Sequence, residues 1–381
     1  PDTTVSYYDA EWDGNISKWK AKGYPVKVYE QTTVTALWDK IMESTYARAE
    51  PGVLFLDRAN HFNPLSYAEH IASTNPSMPA GTKVYTRHGI VPIESLEGKT
   101  FQVKSLDGRW AQAECRLSGR NQDLIEIDFG GMRKIKSTKE HRWPVLDRKM
   151  NRLYKVDASD LKIGDRIPLN LNEIMEIEGN TDLTYDEGLL VGYMLGDGWI
   201  TEYKGQWKAG ITFGTHERTM AERILSIVNN LKDNESALCE RENHGKGELY
   251  IQFTDTMLME RFKNTYGWVL NKERIPSSVW TSNPQYIRGF VDGLFSADGS
   301  ISKYSNMCSR ITLTTAKEGI AFDIAKLLGF AGIYSSIITT DTAASDVSFP
   351  GKTYSPEDER VFHRWDVVVQ GRCVINFANV F

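Results

Sequence analysis

Two short stretches of the sequence share one pattern: LVGYMLGDG at residues 190–198 and VDGLFSADG at residues 291–299. Each is an apolar run that has two small residues four positions apart and closes on Asp-Gly. Residues four apart lie on the same face of an α-helix, so each stretch predicts a helix with a flat stripe on which another helix packs closely. The aspartates of the two stretches, Asp197 and Asp298, would then lie side by side at the helix ends.

Two carboxylates at adjacent helix C-termini repel each other, and the partial negative charge of the helix ends adds to this repulsion. A hard divalent cation relieves it, because carboxylate oxygens are the ligands that such ions prefer. We therefore predict that Asp197 and Asp298 hold Mg²⁺ or another divalent cation. One such run alone is more typical of a buried helix with a glycine cap, but the second copy favours a paired functional site.

The composition is that of a globular polypeptide with two or three domains: 381 residues, 41% hydrophobic and 25% charged. We expect no membrane association and a cytoplasmic location, because no apolar stretch of spanning length and no secretory signal is recognised. The four cysteines are scattered and form no CxxC pair, which indicates neither a disulfide framework nor a zinc site. The formal charge of −5, distributed as −3, +3 and −5 over residues 1–76, 77–180 and 181–381, does not by itself suggest a nucleic-acid partner.

The first 76 residues combine a helical pattern at residues 33–50 with a loop-like tail. Within them, GVLFLDR at residues 52–58 and TNP at residues 74–76 resemble the large subunit of ribonucleotide reductase as it approaches its active-site cysteine. In that family the next residues would be Cys-Gly-Glu, whereas this sequence continues Ser-Met-Pro. The resemblance implies that residues 1–76 are a reductase flank, an N-extein, which is interrupted after Pro76.

Residues 77–180 show short alternating strands joined by glycines and charged turns, a mainly β pattern. Two pieces carry chemistry: the hydroxyl of Ser77 and a Thr-x-x-His motif formed by Thr138 and His141. A nucleophile at the start, a GTKVYT strand and a Thr-x-x-His roughly sixty residues later resemble the N-terminal splicing region of an intein, the Hint fold. The resemblance implies that Ser77 attacks the carbonyl carbon of Pro76, while Thr138 and His141 polarise and protonate the scissile amide.

Residues 181–381 place the two opening stretches in matched surroundings. After each Asp-Gly the sequence gives strand-like segments, a helical segment, further strand-like residues and a closing helix. This pseudo-twofold α-β-β-α-β-β-α order, at about 185–270 and 285–381, resembles the LAGLIDADG homing endonucleases. The resemblance implies a saddle of two four-stranded sheets over double-stranded DNA, with Asp197 and Asp298 holding divalent metal at the scissile phosphates.

Lys272 lies in NKERIP at residues 271–276, where that family joins its two halves, so the resemblance implies an auxiliary catalytic lysine. A solvated lysine at a helix entrance is the alternative. We interpret residues 170–184 as a linker. Residues 341–359 are either an ordered DNA-contacting loop or a slack loop, and we favour the slack loop. Basic residues expected in strands or loops that could line the concave face of the saddle are Lys204, Lys208, Arg241, Lys246, Lys303, Arg310, Lys352, Arg364 and Arg372.

We therefore interpret the chain as an α+β protein: an N-extein at residues 1–76, a Hint-type splicing domain at 77–180 and a LAGLIDADG endonuclease domain at 181–381. The implied functions are an N–O acyl shift at Pro76–Ser77 and Mg²⁺-dependent double-strand cleavage of the reductase gene that lacks the intein. Because the C-terminal splicing motif is not recognised, we expect the N-terminal part of a split or truncated intein. A C-terminal intein segment, in trans or downstream, would complete it.

Two other interpretations stay open at this stage. In one, the LAGLIDADG domain is only a DNA-binding or structural insert, and splicing alone survives. In the other, the chain is a reductase-related metabolic enzyme in which residues 77–381 form an accessory regulatory domain. A metal-dependent cut in duplex DNA would separate these interpretations from the first.

Overall fold

The computed structural model describes residues 1–12, 16–28, 31–48, 78–105, 108–117, 119–130, 133–168, 176–243, 245–268, 270–305, 308–346, 354–355 and 358–381. The chain forms two compact units, Pro1–Asn75 and Pro76–Phe381. None of the helices in the described ranges is long and apolar enough to cross a membrane. The proposed nucleophile Ser77, the reductase-like segment at residues 52–58 and Lys352 lie outside the described residues.

The first unit is organised around one buried tryptophan. Trp19 is 1% exposed, and its ring packs against four other aromatic rings, those of Tyr7, Tyr8, Trp12 and Tyr24. Its indole N–H donates a hydrogen bond of 2.8 Å to the carbonyl of Pro25. The helices in the described part of this unit are α1 (Tyr8–Glu11), α2 (Ile16–Ala21) and α3 (Val34–Arg48). The last of these corresponds to the helix predicted at residues 33–50.

The first part of the second unit is built from short antiparallel strands, as the alternating pattern predicts. The strands are β1 (Lys83–Thr86), β2 (Gly89–Pro92), β3 (Thr100–Lys104), β4 (Trp110–Glu114), β5 (Leu124–Asp128), β6 (Lys134–Thr138), β7 (Arg142–Asp147) and β8 (Arg152–Asp157). They form a four-stranded sheet of order β2-β1-β3-β4 and two hairpins, β5-β6 and β7-β8. The short turn between β6 and β7 contains the Thr-x-x-His motif, with Thr138 at the end of β6 and His141 directly before β7.

The rest of the second unit contains two copies of one arrangement. The first copy consists of α4 (Tyr185–Asp197), β9 (Gly198–Tyr203), β10 (Gln206–Gly214), α5 (Arg218–Asn230), β11 (Leu238–Asn243), β12 (Lys246–Phe253) and α6 (Thr256–Glu260), which continues into a π-helical turn (Arg261–Thr265). After the short helix α7 (Ser278–Thr281), the second copy consists of α8 (Pro284–Asp298), β13 (Gly299–Ser305), β14 (Cys308–Thr315), α9 (Glu318–Phe330), β15 (Ser336–Ala343), β16 (Val361–Gln370) and α10 (Arg372–Val380). The sheets have the orders β11-β12-β10-β9 and β13-β14-β16-β15. The predicted α-β-β-α-β-β-α repeat is therefore present twice.

Two segments interpreted as loose are more ordered than predicted. In the described half of the supposed linker at residues 170–184, Ile177 and Leu183 are 2% and 3% exposed and belong to the hydrophobic core. In the supposed slack loop at residues 341–359, strand β15 runs on to Ala343, which pairs with Val361 of β16. Composition did not indicate the two buried side chains in the first segment or the strand pairing up to Ala343 in the second. Arg372, expected in a strand or loop, begins helix α10.

The β1–β2 hairpin shares the hydrophobic core of the two repeats. Ile90 in β2 is fully buried in the same cluster as the apolar side chains of α4 and α8. A methyl group at Gly89 would lie 3.1 Å from the backbone of Trp280 and Thr281 in α7, so the hairpin turn rests directly on that helix. The boundary predicted between residues 180 and 181 therefore separates segments that pack together, and it stays a prediction.

Candidate functional site

Helices α4 and α8 pack along glycines, backbone against backbone. A methyl group on Gly192 would overlap the carbonyl oxygen of Phe290, and one on Gly293 would overlap that of Leu189. The predicted small-residue stripe is confirmed, and it is one turn longer than predicted in each helix. Gly188 and Gly289 make the same close approach, and the four-residue spacing could have revealed them. Such contact fixes the two helix ends relative to each other.

Local sequence signals start and end both helices in the same way. Thr184 and Glu187 form a capping box at the start of α4, and the Asn283 side chain accepts two backbone N–H bonds at the start of α8. Each helix ends at an aspartate, and the glycine that follows turns at once into a strand. A side chain at that glycine, Gly198 or Gly299, would overlap the helix's own last turn. The Asp-Gly pair therefore places an aspartate at the helix end and lets the chain leave sharply.

The two aspartates lie partly buried where the helices end. A methyl group on Gly196 in α4 would lie 3.2 Å from Oδ2 of Asp298 in α8, so the Asp298 carboxylate sits against the last turn of the other helix. Burial and the nearby negative charges of Asp298 and Glu217 raise the pKa of Asp197 from 3.8 to about 6. Burial also raises the pKa of Asp298, and the cation of Lys272 opposes this shift. The predicted pair of adjacent, mutually repelling carboxylates is therefore present.

Glu217 is a third acidic residue near this pair, and the sequence did not single it out. Its carboxylate accepts a hydrogen bond of 2.6 Å from the Tyr193 hydroxyl and one of 2.7 Å from the backbone N–H of Gly214. Glu217 follows strand β10 and lies outside the two repeated Asp-Gly stretches, so the repeat in the sequence does not identify it. Its position contributes negative charge to the surroundings of Asp197.

Lys272 reaches the same place from the connection between the repeats. Its Nζ donates a hydrogen bond of 2.9 Å to the carbonyl of Gly196, the residue before Asp197. Burial lowers the pKa of its ammonium, while Asp298 and Asp197 oppose that shift. The alternative of a freely solvated lysine does not fit this partly buried position.

The connection that carries Lys272 is held firmly by helix α9. Asp323, which is 2% exposed, pairs with the guanidinium of Arg274 and accepts the backbone N–H of Ile275 at 3.3 Å. Lys317 donates a hydrogen bond of 2.6 Å to Glu273. Lys272 itself has a φ of 52°, a left-handed conformation that is uncommon outside glycine and that the flanking contacts fix.

A cavity of about 620 Å³ opens beside Asp298 and Lys272. Basic and polar side chains of the second repeat contribute to its lining, namely Thr315, Lys317, His363 and Arg364. Apolar side chains, including Leu294, Leu313 and Phe362, also line the space. Asp298 therefore borders an open volume rather than packed protein.

The donor set around the aspartates fits a hard divalent cation. Asp197 and Asp298 supply carboxylate oxygens, and burial raises the pKa of both, with the negative charges of Asp298 and Glu217 adding to the shift of Asp197. A bound cation would stabilise the charged carboxylates. Among the residues that the structure describes, no group of three or more His, Cys, Asp or Glu side chains is arranged to hold a metal. Two carboxylates would leave the remaining coordination positions of a bound ion to water or to a substrate oxygen, as is usual for Mg²⁺.

The structure brings Thr138 and His141 together at the β6–β7 turn. The backbone N–H of His141 donates to the carbonyl of Thr138 at 3.2 Å, and Thr138 is 8% exposed. The ring of His141 packs edge-on against Trp143, and burial lowers its pKa below 6.5. Its Nδ1 atom is buried and has no hydrogen-bond partner among the described residues. A mostly neutral imidazole with an unused nitrogen is thus held next to a buried hydroxyl residue.

Comparison with protein families gives two matches. The model for "Ribonucleotide reductase, barrel domain" matches residues 3–322. The chain belongs to this reductase family. The model for "LAGLIDADG-like domain" matches residues 285–377, which cover helix α8 and nearly all of the second repeat. This reductase-family chain therefore carries a LAGLIDADG-like domain, and the two matched ranges overlap at residues 285–322.

The curated relatives of the chain include enzyme subunits of several kinds. The chain is 22% identical over 365 residues to the ribonucleoside-diphosphate reductase NrdEB subunit alpha of Bacillus subtilis, covering 87% of this chain and 32% of that protein. It is 25% identical over 254 residues to the DNA-directed RNA polymerase subunit Rpo1C of Methanocaldococcus jannaschii, covering 58% and 28%. It is 28% identical over 231 residues to a DNA polymerase of a Thermococcus species, covering 58% and 12%. The chain spans about a third or less of the length of these relatives.

Solved structures of homing endonucleases align with part of the chain. A mesophilic variant of I-DmoI is 17% identical, with a TM-score of 0.34, and the alignment covers 51% of this chain and 94% of that one. I-WcaI bound to its DNA recognition sequence is 16% identical, with a TM-score of 0.37, covering 53% and 82%.

Proposed function

We propose that the LAGLIDADG-like domain is a DNA endonuclease that depends on a divalent cation, and that it is carried by a self-splicing element interrupting a reductase. The observation that carries the nuclease proposal is the convergence of Asp197, Asp298 and Lys272 at the ends of two tightly packed helices. Carboxylates, a buried ammonium and an open cavity are the parts that phosphodiester hydrolysis requires. A purely structural helix pair would have no need for repelling charges at its end.

Each residue has a definable part in this proposal. Asp197 and Asp298 would hold the cation, which when bound supplies Lewis-acid stabilisation of charge on the phosphate. The hydrogen bond from Lys272 to the Gly196 carbonyl positions the last turn of α4, which carries Asp197. The Lys272 ammonium would also stabilise negative charge that develops on a phosphate oxygen. The basic residues of the cavity, Lys317 and Arg364, would orient the anionic substrate.

The mixture of relatives supports the idea of an inserted element. A reductase does different chemistry from an RNA or DNA polymerase, yet proteins of all three kinds resemble parts of one chain. A segment that occurs within such different enzymes is more easily understood as an insert than as part of any host activity. The overlap of the reductase and LAGLIDADG-like matches at residues 285–322 agrees with an insertion inside the reductase sequence.

A cleavage assay tests the nuclease proposal. The substrate is a duplex in which the reductase codons for Thr-Asn-Pro run directly into those for Cys-Gly-Glu, and the control duplex has the intein coding sequence at that junction. We expect both strands of the first duplex to be cut in Mg²⁺ and left intact in EDTA, because the carboxylate pair lacks its cation there. The control duplex should stay whole. Metal-dependent binding without any cut would favour the DNA-binding insert over the endonuclease.

Replacing Lys272 with methionine should lower the cleavage rate by about 10–100-fold with little change in DNA binding. Methionine keeps the length of the side chain but loses the charge and the hydrogen bond to Gly196. The matched control is Lys263→Met, which removes an exposed lysine from the turn after α6. Equal rates for the two variants in single-turnover assays would remove Lys272 from the site.

For the splicing segment we propose an N–O acyl shift at Pro76–Ser77. The Ser77 oxygen would bond to the Pro76 carbonyl carbon, the peptide C–N bond would break, and the serine nitrogen would gain the proton that the hydroxyl loses. The support for this proposal is the turn that holds Thr138 next to His141, whose buried nitrogen has no protein partner among the described residues. Ser77 itself lies outside those residues.

His141→Ala should slow cleavage at Pro76–Ser77 by about 10²–10⁴-fold, the usual contribution of a general acid or base. The measurement is hydroxylamine-induced cleavage followed by intact mass, because hydroxylamine traps the ester. The control is His88→Ala, which removes an exposed histidine of the same segment. Because burial lowers the pKa of His141, its limb of the pH–rate profile should lie below pH 6.5 and vanish in the variant. A profile unaltered by the substitution would contradict the assignment.

A further inference from the structure

The splicing segment carries a basic hairpin that the proposed function does not use. Strands β7 and β8 pair from Arg142↔Asp157 to Asp147↔Arg152, and the turn between them is formed by residues 148–151. The tip has the sequence RKMNR, with three cations in five residues. Arg148, Lys149 and Arg152 are all exposed.

The cations of this tip differ from other exposed cations of the segment. Elsewhere in the segment, exposed cations pair with carboxylates: Arg116 with Glu114 and Lys134 with Glu126. In the described part of the chain, no ion pair engages Arg148, Lys149 or Arg152. The nearest carboxylate along the chain, that of Asp147, accepts the backbone N–H groups of Lys149 and Met150 at 2.9 and 3.2 Å. The Asp147 carboxylate therefore stabilises the turn.

Exposed apolar side chains accompany the cations. Met150 at the tip is 60% exposed, and Leu153 and Tyr154 on β8 are 40% and 44% exposed. The facing strand is anchored instead, because Trp143 and Val145 of β7 are 8% and 1% exposed. The hairpin thus has buried side chains on β7 and an exposed outer half that is both cationic and apolar.

We propose that the β7–β8 hairpin is a second DNA-binding element, which contacts the phosphate backbone of duplex DNA through Arg148, Lys149 and Arg152. A two-stranded ribbon fits the major groove of B-DNA, and guanidinium groups match phosphate oxygens in a bidentate manner. The inference rests on the proposed nuclease function, which supplies DNA as the polyanion. The net charge of −5 at residues 181–381 does not favour binding to DNA, whereas residues 77–180 carry +3. Three of the cations of residues 77–180 lie at the exposed tip of the hairpin, where they can contact DNA.

The test measures the salt dependence of binding in the full chain without metal, with a mixed-sequence duplex of about 60 base pairs. Each phosphate contact contributes about 0.9 to the slope of log K against log salt, so Arg148→Gln/Lys149→Gln/Arg152→Gln should lower the slope by about 2–3. Affinity near 0.1 M salt should fall by about 10–100-fold. Arg148→Lys/Arg152→Lys, which keeps the charge, should retain most of the slope.

The matched control is Lys99→Gln/Arg116→Gln/Lys134→Gln, which changes the net charge equally at exposed cations that have their own partners. We expect it to leave the slope nearly unchanged. If both triple variants lower the slope equally, net charge is responsible and the hairpin proposal is overturned. If wild type binds and the tip variant keeps its slope, the hairpin proposal alone fails. If wild type binds no duplex even at low salt, the nuclease proposal fails with it. Far-UV circular dichroism of each variant checks that the hairpin still folds.

Discussion

Asp298→Asn should abolish DNA cleavage, with a loss of about 10²–10³-fold or more, while the protein stays folded. Asparagine keeps the size of the side chain and its place against Gly196 but removes the charge that a divalent cation requires. Asp197→Asn should have the same effect, because the two carboxylates occupy equivalent positions in the two repeats. Single-turnover cleavage of the uninterrupted reductase duplex in Mg²⁺ measures both.

The same substitutions should stabilise the metal-free protein near neutral pH. The pKa of Asp197 is raised from 3.8 to about 6, so the folded state binds the proton more tightly than the unfolded state. The stabilisation that comes from protonated Asp197 is therefore greatest below about pH 4. It decreases as the pH rises from about 4 to about 6 and is absent at higher pH. We compare the free energy of unfolding of Asp197→Asn with that of wild type. The difference should favour the variant by about 1–2 kcal/mol more at pH 7.5 than at pH 4, a value reduced because the side chain is partly exposed.

Urea unfolding in EDTA at pH 4 and pH 7.5 measures this difference, and Mg²⁺ should stabilise wild type more than the variant. The matched control is Asp292→Asn on the same helix. Asp292 is also partly buried with a raised pKa, but it accepts the Tyr185 hydroxyl at 2.6 Å and does not line the cavity beside Asp298. That variant should still cut DNA. Loss of cleavage in all three variants without a stability gain in Asp197→Asn would mean that these carboxylates maintain the fold rather than hold a cation.

Sequence spacing was sufficient for the parts of the site that repeat. Helical periodicity relates small residues four apart to one face, and a second copy identifies the partner face, so the seam and both aspartates could be predicted. Lys272 came from resemblance alone, since its position depends on how Asp323 and Lys317 hold the connection against α9. Glu217 has no counterpart pattern in the sequence, because it approaches Asp197 only through the folding of β10 and α5.

The docking of the β1–β2 hairpin was equally out of reach of sequence reasoning. Ile90 and Gly89 look like ordinary strand and turn residues, and only the fold shows them packed against α7 and the repeat core. Contacts between residues almost two hundred positions apart depend on topology, and no local pattern encodes them. The core shared by the hairpin and the repeats could therefore not be recognised from local sequence patterns.

Gly192→Ala should destabilise the protein by about 3 kcal/mol or more and lower its melting temperature by about 5–10 °C. The added methyl group meets the carbonyl of Phe290, which is backbone and cannot rotate away, so α4 and α8 must separate. Gly293→Ala should behave alike, because its methyl group meets the carbonyl of Leu189. Differential scanning calorimetry of the metal-free protein measures the change.

The two substitutions act on one seam, so their effects should not add. Once one methyl group has separated the helices, the second enters space that is already open, and the double variant should lose less stability than the sum of the singles. The matched control is Gly329→Ala in α9, where a methyl group would meet nothing within 4 Å. It should be neutral or stabilise the protein by up to about 1 kcal/mol through helix propensity. If Gly192→Ala behaves like Gly329→Ala, the backbone contact does not define the seam, and the distance between Asp197 and Asp298 must be fixed by other parts of the two repeats.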